Sequence, residues 1–416
     1  MNQQLEEDLR AFLADYPRDP IEAEELQRYL RARPEVKSVE LILPLDEYDR
    51  RFKAIKKVRD WRREVYENDQ ADITTLEYAY LVRMPLDELE AFADRMELAG
   101  LTNLARLQEF SDQFLQRRRG RTLKHSRADS VSSVSSNKEK KSNRDTTERD
   151  KVKRLDGSRC VVTGTAHPEA CHIAPFALND TIEHRVKTRD LLGNLQIFLG
   201  LENDLDSYRT LTRLSAGPSS HDKAWNMVCL DPRLHDEWGR CCFAFKHVKT
   251  ELDKNDPIYS VVFLQFVWMP KNIKAMDKDP IDLDKQKDSP PELLKYLEHR
   301  YGERLENPCV IANCRDCQHL SGVKAIDVST NRSVRNGTII KVKRHTEDAR
   351  YFERLIQLQW AVICAASLSG GGLAPEELLP GEDRDTAEGE LLVEGGLTKA
   401  DIASWAEATS RAALGD

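Results

Sequence analysis

A polar and basic segment in the middle of the chain, residues 116–153, most constrains how these 416 residues can fold. It contains RRRGR, the serine-rich stretch SVSSVSS and KEKKSNR, with almost no large apolar side chain to bury. Such a segment cannot offset the conformational entropy that it would lose on ordering. We therefore expect a disordered linker between two regions that are richer in apolar residues.

The net charge of −8 hides two segments of opposite charge. From Arg117 to Arg154 there are 14 Lys and Arg against 5 Asp and Glu, whereas residues 367–416 carry 3 against 11. We expect residues 367–416 to be an acidic, disordered tail. The basic segment could bind phosphates non-specifically, act as a nuclear localisation signal or serve as a solubilising spacer, and the sequence leaves these three alternatives open.

Residues 1–115 have apolar side chains at helical spacing. In the run from Asp87 to Ala99, for example, Leu89, Phe92 and Met96 lie on one stripe. This pattern predicts a helical N-terminal region used for packing or partner contact. No catalytic constellation is found there.

The sequence contains no apolar run that approaches the roughly 20 residues needed to span a bilayer. The first residues, Met1 to Arg10, are polar and acidic, which is unlike a secretory signal peptide. We therefore expect an intracellular protein that has no membrane partner, with the basic segment as a candidate nuclear address.

The sequence beyond Arg159 alternates short β-like runs with helical ones, which predicts a mixed α+β domain over residues 154–366. Asn336-Gly337 is a strong hairpin signal, and we expect Val323–Val328 to pair with Thr338–Val342 around it. An amphipathic helix is expected over Asp348–Ala366. The other predicted strands are Cys160–Thr163, Met227–Leu230, Cys241–Phe245 and Tyr259–Trp268.

Three short motifs in this domain carry the residue types of a phosphodiester hydrolase. The first is CVVTG, beginning at Cys160, followed by His172-Ile-Ala-Pro. The second is Asn226 at the start of a strand-like run, and the third is His235, nine residues later. A histidine near its ordinary pKa suits the activation of water, and a second histidine suits metal ligation.

These motifs resemble the HNH endonuclease family, in the divergent form common among fungal proteins. The resemblance implies a ββα-metal core with an inserted helix and flanking strands, and a metal-dependent endonuclease that hydrolyses phosphodiester bonds in DNA. By the same resemblance, His172 would be the general base and Asn226 would orient the loop or assist the metal. His235 would bind a divalent ion, with Mg²⁺ or Mn²⁺ expected first and Zn²⁺ or Ni²⁺ as alternatives.

Two departures from the family pattern bear on this expectation. The metal-binding position before the base is Cys171, and a thiolate suits Zn²⁺ better than Mg²⁺. Either Cys171 binds a softer metal, a carboxylate such as Glu169 or Asp236 replaces it, or catalysis is weakened. In addition, 54 positions separate His172 from Asn226, and we expect an inserted helical segment over Glu183–Tyr208.

Other functions remain open on the sequence. The HNH scaffold could lack turnover and act as a nucleic-acid or protein interaction module, which Cys171 favours. Arg233 and Arg240 are candidate phosphate contacts beside the site. We expect surface or packing roles for His221, His247 and His345. A separate zinc site is an alternative for Cys309, Cys314, Cys317 and His319, although no second CxxC stands at the usual spacing, which favours a Cys-rich strand or turn with free thiols.

Overall fold

The computed structural model describes most of the chain up to residue 371. The described residues are 3–4, 6–7, 10–11, 20–40, 42–66, 72–95, 97–115, 146–175, 205–217, 220–272, 276–295, 297, 299–300 and 324–371, with a few positions between 178 and 201. All of them belong to the first of two compact units into which the chain divides, Met1–Asp383.

The N-terminal region is helical, as the sequence predicts. The Thr74 side chain accepts from Glu77 N–H and the Glu77 carboxylate accepts from Thr74 N–H, which satisfies two N–H groups at the start of the third helix. The helices described here are α1 Pro20–Arg31, α2 Tyr48–Val65, α3 Thr75–Leu81, α4 Leu86–Arg95, α5 Leu98–Ala105 and α6 Leu107–Phe114.

A three-stranded antiparallel sheet forms the framework of the second half, in the order β3 (Phe243–Leu252), β4 (Tyr259–Trp268) and β9 (Ile339–His345). The long helix α11, Thr346–Leu368, packs against this sheet and against the N-terminal helices α3 and α6. The N-terminal helices therefore share one apolar core with the sheet. The predicted strand over Tyr259–Trp268 and the predicted C-terminal helix are confirmed.

The end of the predicted disordered linker is instead helical. Helix α7 spans Thr146–Leu155, and its Val152 is fully buried. Val152 and Leu155 lie about one turn apart, so this segment has an apolar stripe that the charged residues around it conceal. The prediction is wrong over residues 146–153, and residues 116–145 lie outside the described part.

The predicted hairpin around Asn336-Gly337 is also wrong. Strand β9 pairs with β4, because Gly337 donates to the carbonyl of Phe266 (2.8 Å) and the Asn336 side chain accepts from Trp268 N–H (3.0 Å). Gly337 has a φ of +88°, and a Cβ there would clash with the carbonyl of Lys37. The turn therefore joins β9 to the central strand and to residues 35–37.

Of the two cysteine-containing runs predicted as strands, Cys160–Thr163 is a turn, whereas Cys241–Phe245 is a turn only at its two cysteines and is confirmed as a strand from Phe243 onward. Residues 161–163 form a turn in which Gly164 donates to the Cys160 carbonyl (2.9 Å). Cys241 has a φ of +58° and, with Cys242, precedes β3. Both turns are rich in apolar residues because they are buried. In the sequence, a short apolar run in a buried turn looks the same as one in a β-strand.

A smaller β-ribbon and two helices complete the region that carries the predicted motifs. Strand β1 (Glu169–His172) pairs with β2 (Met227–Leu230), which confirms the predicted strand over residues 227–230. Helix α8, Leu205–Leu214, lies between them in sequence and overlaps the end of the predicted helical insertion, Glu183–Tyr208, most of which lies outside the described residues. The other elements are α9 Pro232–Gly239, β5 Pro270–Lys271, α10 Glu292–Lys295, β6 His299–Arg300, β7 Ile326–Asp327 and β8 Arg332–Ser333.

No helix in the part of the chain that the structure describes is both long enough and apolar enough to cross a bilayer.

Candidate functional site

The β1–β2 ribbon places its side chains on two faces that pack against different helices. In the antiparallel register His172 lies opposite Met227, and Cys171 lies opposite Val228. Neighbouring strand positions point to opposite sides, so His172 and Cys171 face different ways. Ala170, Met227 and Cys229 join Val152 of α7 in one apolar cluster, whereas Cys171 and Val228 belong to the main core. We call these the α7 face and the α9 face.

His172, at the end of β1, is paired with a carboxylate that the sequence analysis did not single out. Its Nε2 lies 2.9 Å from Asp222 Oδ1, and the two side chains are only 2% and 1% exposed. A carboxylate only accepts hydrogen bonds, so Nε2 donates and Nδ1 keeps the lone pair that can take a proton. The ring of His221 also lies close, 6.1 Å from that of His172. His221 is fully buried, in agreement with the packing role expected for it.

Asn226 holds the loop that follows His172. Its side-chain oxygen accepts from Ala174 N–H (2.8 Å), and its amide nitrogen donates to the carbonyls of Ala174 (2.9 Å) and His221 (3.0 Å). The residue is completely buried. The amide is thus used on backbone groups, which suits the loop-orienting role better than contact with a metal.

His235 lies on the other face of the ribbon. Helix α9 begins after Asp231, whose side chain accepts from Leu234 N–H (2.9 Å), with Pro232 in the first turn. His235 Nδ1 lies 2.7 Å from Glu169 Oε2, and these side chains are 14% and 17% exposed. Since the carboxylate accepts, Nδ1 donates and the lone pair is on Nε2.

The structure does not bring the predicted metal ligands together as a cluster. Among the described residues, no group of three or more His, Cys, Asp or Glu side chains is placed to hold a metal ion. Cys171 is completely buried, and its thiol points to the carbonyl of Glu169 at 3.5 Å. Burial raises the pKa of the Cys160 and Cys229 thiols, so these two thiols stay protonated near neutral pH.

The Glu169–His235 pair is the donor set that fits a divalent ion. An imidazole whose second nitrogen donates to a carboxylate is held in the tautomer and orientation of a metal ligand. Mg²⁺ and Mn²⁺ commonly take one or two protein ligands and complete their shells with water and phosphate oxygens. Glu169 was one of the carboxylates considered as a replacement for Cys171, whereas Asp236 pairs with Arg240 (3.1 Å) on α9.

The candidate phosphate contacts on α9 are exposed, but a carboxylate faces each of them. Arg233 donates to Glu237 at 2.9 Å, and Arg240 pairs with Asp236. Both pairs join residues four apart along the helix. Their positive charges are therefore partly offset locally.

A buried ion pair supports the α7 face of the ribbon. Arg344 of β9 donates to Asp156 (2.6 Å) and to the carbonyl of Met227 (2.7 Å), and Asp156 accepts from Cys229 N–H (2.9 Å). Both charged side chains are almost completely buried. Glu148 of α7 also accepts from Ala224 N–H (2.9 Å), next to the site loop.

Sequence reasoning missed Asp222, Asp156 and Arg344. Asp222 lies in a loop 50 positions from its histidine partner, with no periodicity or motif to mark it. Arg344 and Asp156 are 188 positions apart. The only available signal was Arg344, a charged residue at an inward position of a β-strand, which requires a buried partner.

His247 and His345 lie away from the ribbon. His247 contacts Thr250 (3.0 Å), and the His345 ring lies 4.7 Å from that of Tyr259. The proposed zinc cluster of Cys309, Cys314, Cys317 and His319 lies outside the described residues.

The strand–strand–helix order, with His172, Asn226 and His235 at these positions, defines the class of site. Residues 160–246 match the family model described as HNH endonuclease. This part of the chain is therefore similar to HNH endonucleases. No curated protein and no solved structure matches the chain significantly.

Proposed function

We propose that the chain is a metal-dependent HNH-type endonuclease that hydrolyses phosphodiester bonds in DNA. The observation that carries the proposal is the HNH domain over residues 160–246, in which His172, Asn226 and His235 occupy the strand end, the inter-strand loop and the helix. The family match supports nuclease activity in general, and the metal, the DNA substrate and the roles below are our finer proposals.

His172 is the proposed general base. Asp222 holds its imidazole so that Nδ1 can take a proton from the attacking water, and Asn226 fixes the loop that follows.

His235 is the proposed metal-holding residue, with Glu169 as the carboxylate that orients it. The bound ion would neutralise charge on the phosphate. Cys171 is proposed as a packing residue, because its thiol is buried between strand and core. A hard or borderline ion such as Mg²⁺ or Mn²⁺ fits this donor set.

One observation favours a second function, a binding module that has lost turnover. The His172 side chain is only 2% exposed, and a base must reach water and substrate to act. In that case the domain would hold nucleic acid or a protein without cleaving it.

Plasmid cleavage separates the two functions. Wild type, His172→Ala and the control His247→Ala are assayed with Mg²⁺, Mn²⁺, Ni²⁺ and Zn²⁺ in turn. We expect wild type and the control to cut, and His172→Ala to be slower by about 10² to 10⁴-fold, the usual contribution of a general base. If no folded protein cuts with any metal but all bind DNA, the binding module is the function.

A further inference from the structure

The inserted helix α8 and the start of α11 place two arginines on one buried tyrosine. The guanidinium carbon of Arg213 lies 4.2 Å from the ring centroid of Tyr351, and that of Arg350 lies 4.8 Å from the same ring. Tyr351 is buried, while both arginines are exposed. Stacking on an aromatic ring orders the planar guanidinium in advance, so that less entropy is lost when it binds a phosphate.

Around Tyr351, the arginine side chains outnumber the carboxylates that pair with them. Arg209 and Arg350 share one carboxylate, Asp206, at 3.8 and 3.3 Å. In the part of the chain that the structure describes, no carboxylate is paired with Arg213. The first turn of α11 also carries Glu347 and Asp348, and Asp348 pairs with Lys151 at 3.6 Å.

This group of arginines lies beside the candidate site. The Tyr351 ring is 5.8 Å from that of Trp225, the residue immediately before Asn226. Helix α8 and the turn of residues 224–226 both pack against α11. One ring contact therefore separates the stacked arginines from the loop that holds His172.

We propose that Arg209, Arg213 and Arg350 form an arginine clamp that binds the phosphate backbone of a DNA strand next to the HNH site. The choice of DNA as ligand rests on the proposed function, whereas the clamp itself does not require cleavage. Guanidinium forks match phosphate oxygens without reading base sequence. The clamp also gives a purpose to the long insertion between β1 and β2, because Arg209 and Arg213 belong to that insertion.

Binding is measured by fluorescence anisotropy with a labelled 30-base-pair DNA duplex in EDTA, so that no cleavage occurs. We expect Arg209→Glu/Arg213→Glu to weaken binding about tenfold or more, and to reduce the slope of log affinity against log salt by roughly 2, since each phosphate contact contributes about 0.9. The matched control is Lys53→Glu/Lys56→Glu on exposed positions of α2, which makes the same change in net charge. It should bind like wild type.

The clamp is overturned if wild type does not bind the duplex, if the arginine variant binds as tightly as wild type, or if the lysine control weakens binding equally. If circular dichroism shows that Arg209→Glu/Arg213→Glu is unfolded, the variant Arg209→Gln/Arg213→Gln takes its place, because it removes the two positive charges without adding negative ones. Plasmid cleavage is scored separately. If DNA binding requires the arginines but no metal supports cleavage, the clamp is supported and the nuclease function is contradicted. If the arginine variant cuts DNA with an unchanged KM, the nuclease function is supported and the clamp is contradicted.

Discussion

The two faces of the β1–β2 ribbon each hold a histidine against a carboxylate, and the two pairs differ in burial. On the α7 face, His172 and Asp222 are almost completely enclosed, while on the α9 face His235 and Glu169 keep about a sixth of their side-chain surface exposed. A buried carboxylate can orient one ring with little competition from water. A pair that water can reach, such as His235 and Glu169, can accept an ion together with its water ligands. In the proposed mechanism, this difference in burial places the base on the α7 face and the metal on the α9 face.

The α7 face should also be the more important for stability. Removing one partner from a buried ion pair leaves an uncompensated charge, so Asp156→Ala should lower the free energy of unfolding by about 3 to 5 kcal/mol. Glu169→Ala, on the less buried face, should cost about 1 kcal/mol, the usual net contribution of one hydrogen bond. Urea denaturation followed by circular dichroism compares the two variants. If both variants lose the same free energy of unfolding, the two faces contribute equally to stability and this prediction is wrong.

Metal affinity should depend on the α9 face alone. Glu169→Gln keeps the size of the side chain but weakens its hold on His235, and changes of this kind typically cost 10- to 100-fold in metal affinity. Asp222→Asn is the matched amide substitution on the other face and should leave affinity unchanged. Isothermal titration with Mn²⁺ measures both. If Asp222→Asn has the larger effect, the metal lies on the α7 face.

The smallest effect is expected for the substitution of Cys171. Cys171→Ala removes a buried sulfur and should cost about 1 kcal/mol of stability, typical of a point substitution, with Mn²⁺ affinity unchanged. Co²⁺ titration is a sharper readout, because a thiolate ligand produces an intense charge-transfer absorption in the near ultraviolet. We expect wild type to lack this band. A band that disappears in Cys171→Ala would make Cys171 a ligand.

The sequence carries enough information for the local elements of this site but not for its long-range pairs. Strand patterning placed β2 correctly, and the apolar run from Tyr259 to Trp268 is strand β4. The motif spacing also identified the histidine at the end of β1 and the one on α9. These features depend on neighbours in sequence, which periodicity and motif spacing report.

The missed features depend on tertiary contacts. Asp222 is marked by no motif and becomes informative only when the ribbon brings it to His172. Helix α7 also depends on tertiary contacts. The packing of Val152 on the ribbon stabilises this helix more than the helix propensity of its charged residues does. The Asn336-Gly337 signal correctly identified a turn, but it did not identify the strand that pairs with β9. That strand is the longer apolar strand β4.

The most direct test of the division between the two faces is to compare His172→Ala with His235→Ala in Mn²⁺ affinity and in plasmid cleavage. We predict that His172→Ala binds Mn²⁺ like wild type but cuts about 10²- to 10⁴-fold more slowly, whereas His235→Ala loses both Mn²⁺ binding and cleavage. If both substitutions abolish Mn²⁺ binding, the histidines share one metal site. If His235→Ala binds Mn²⁺ and cuts normally, the α9 face has no part in the chemistry.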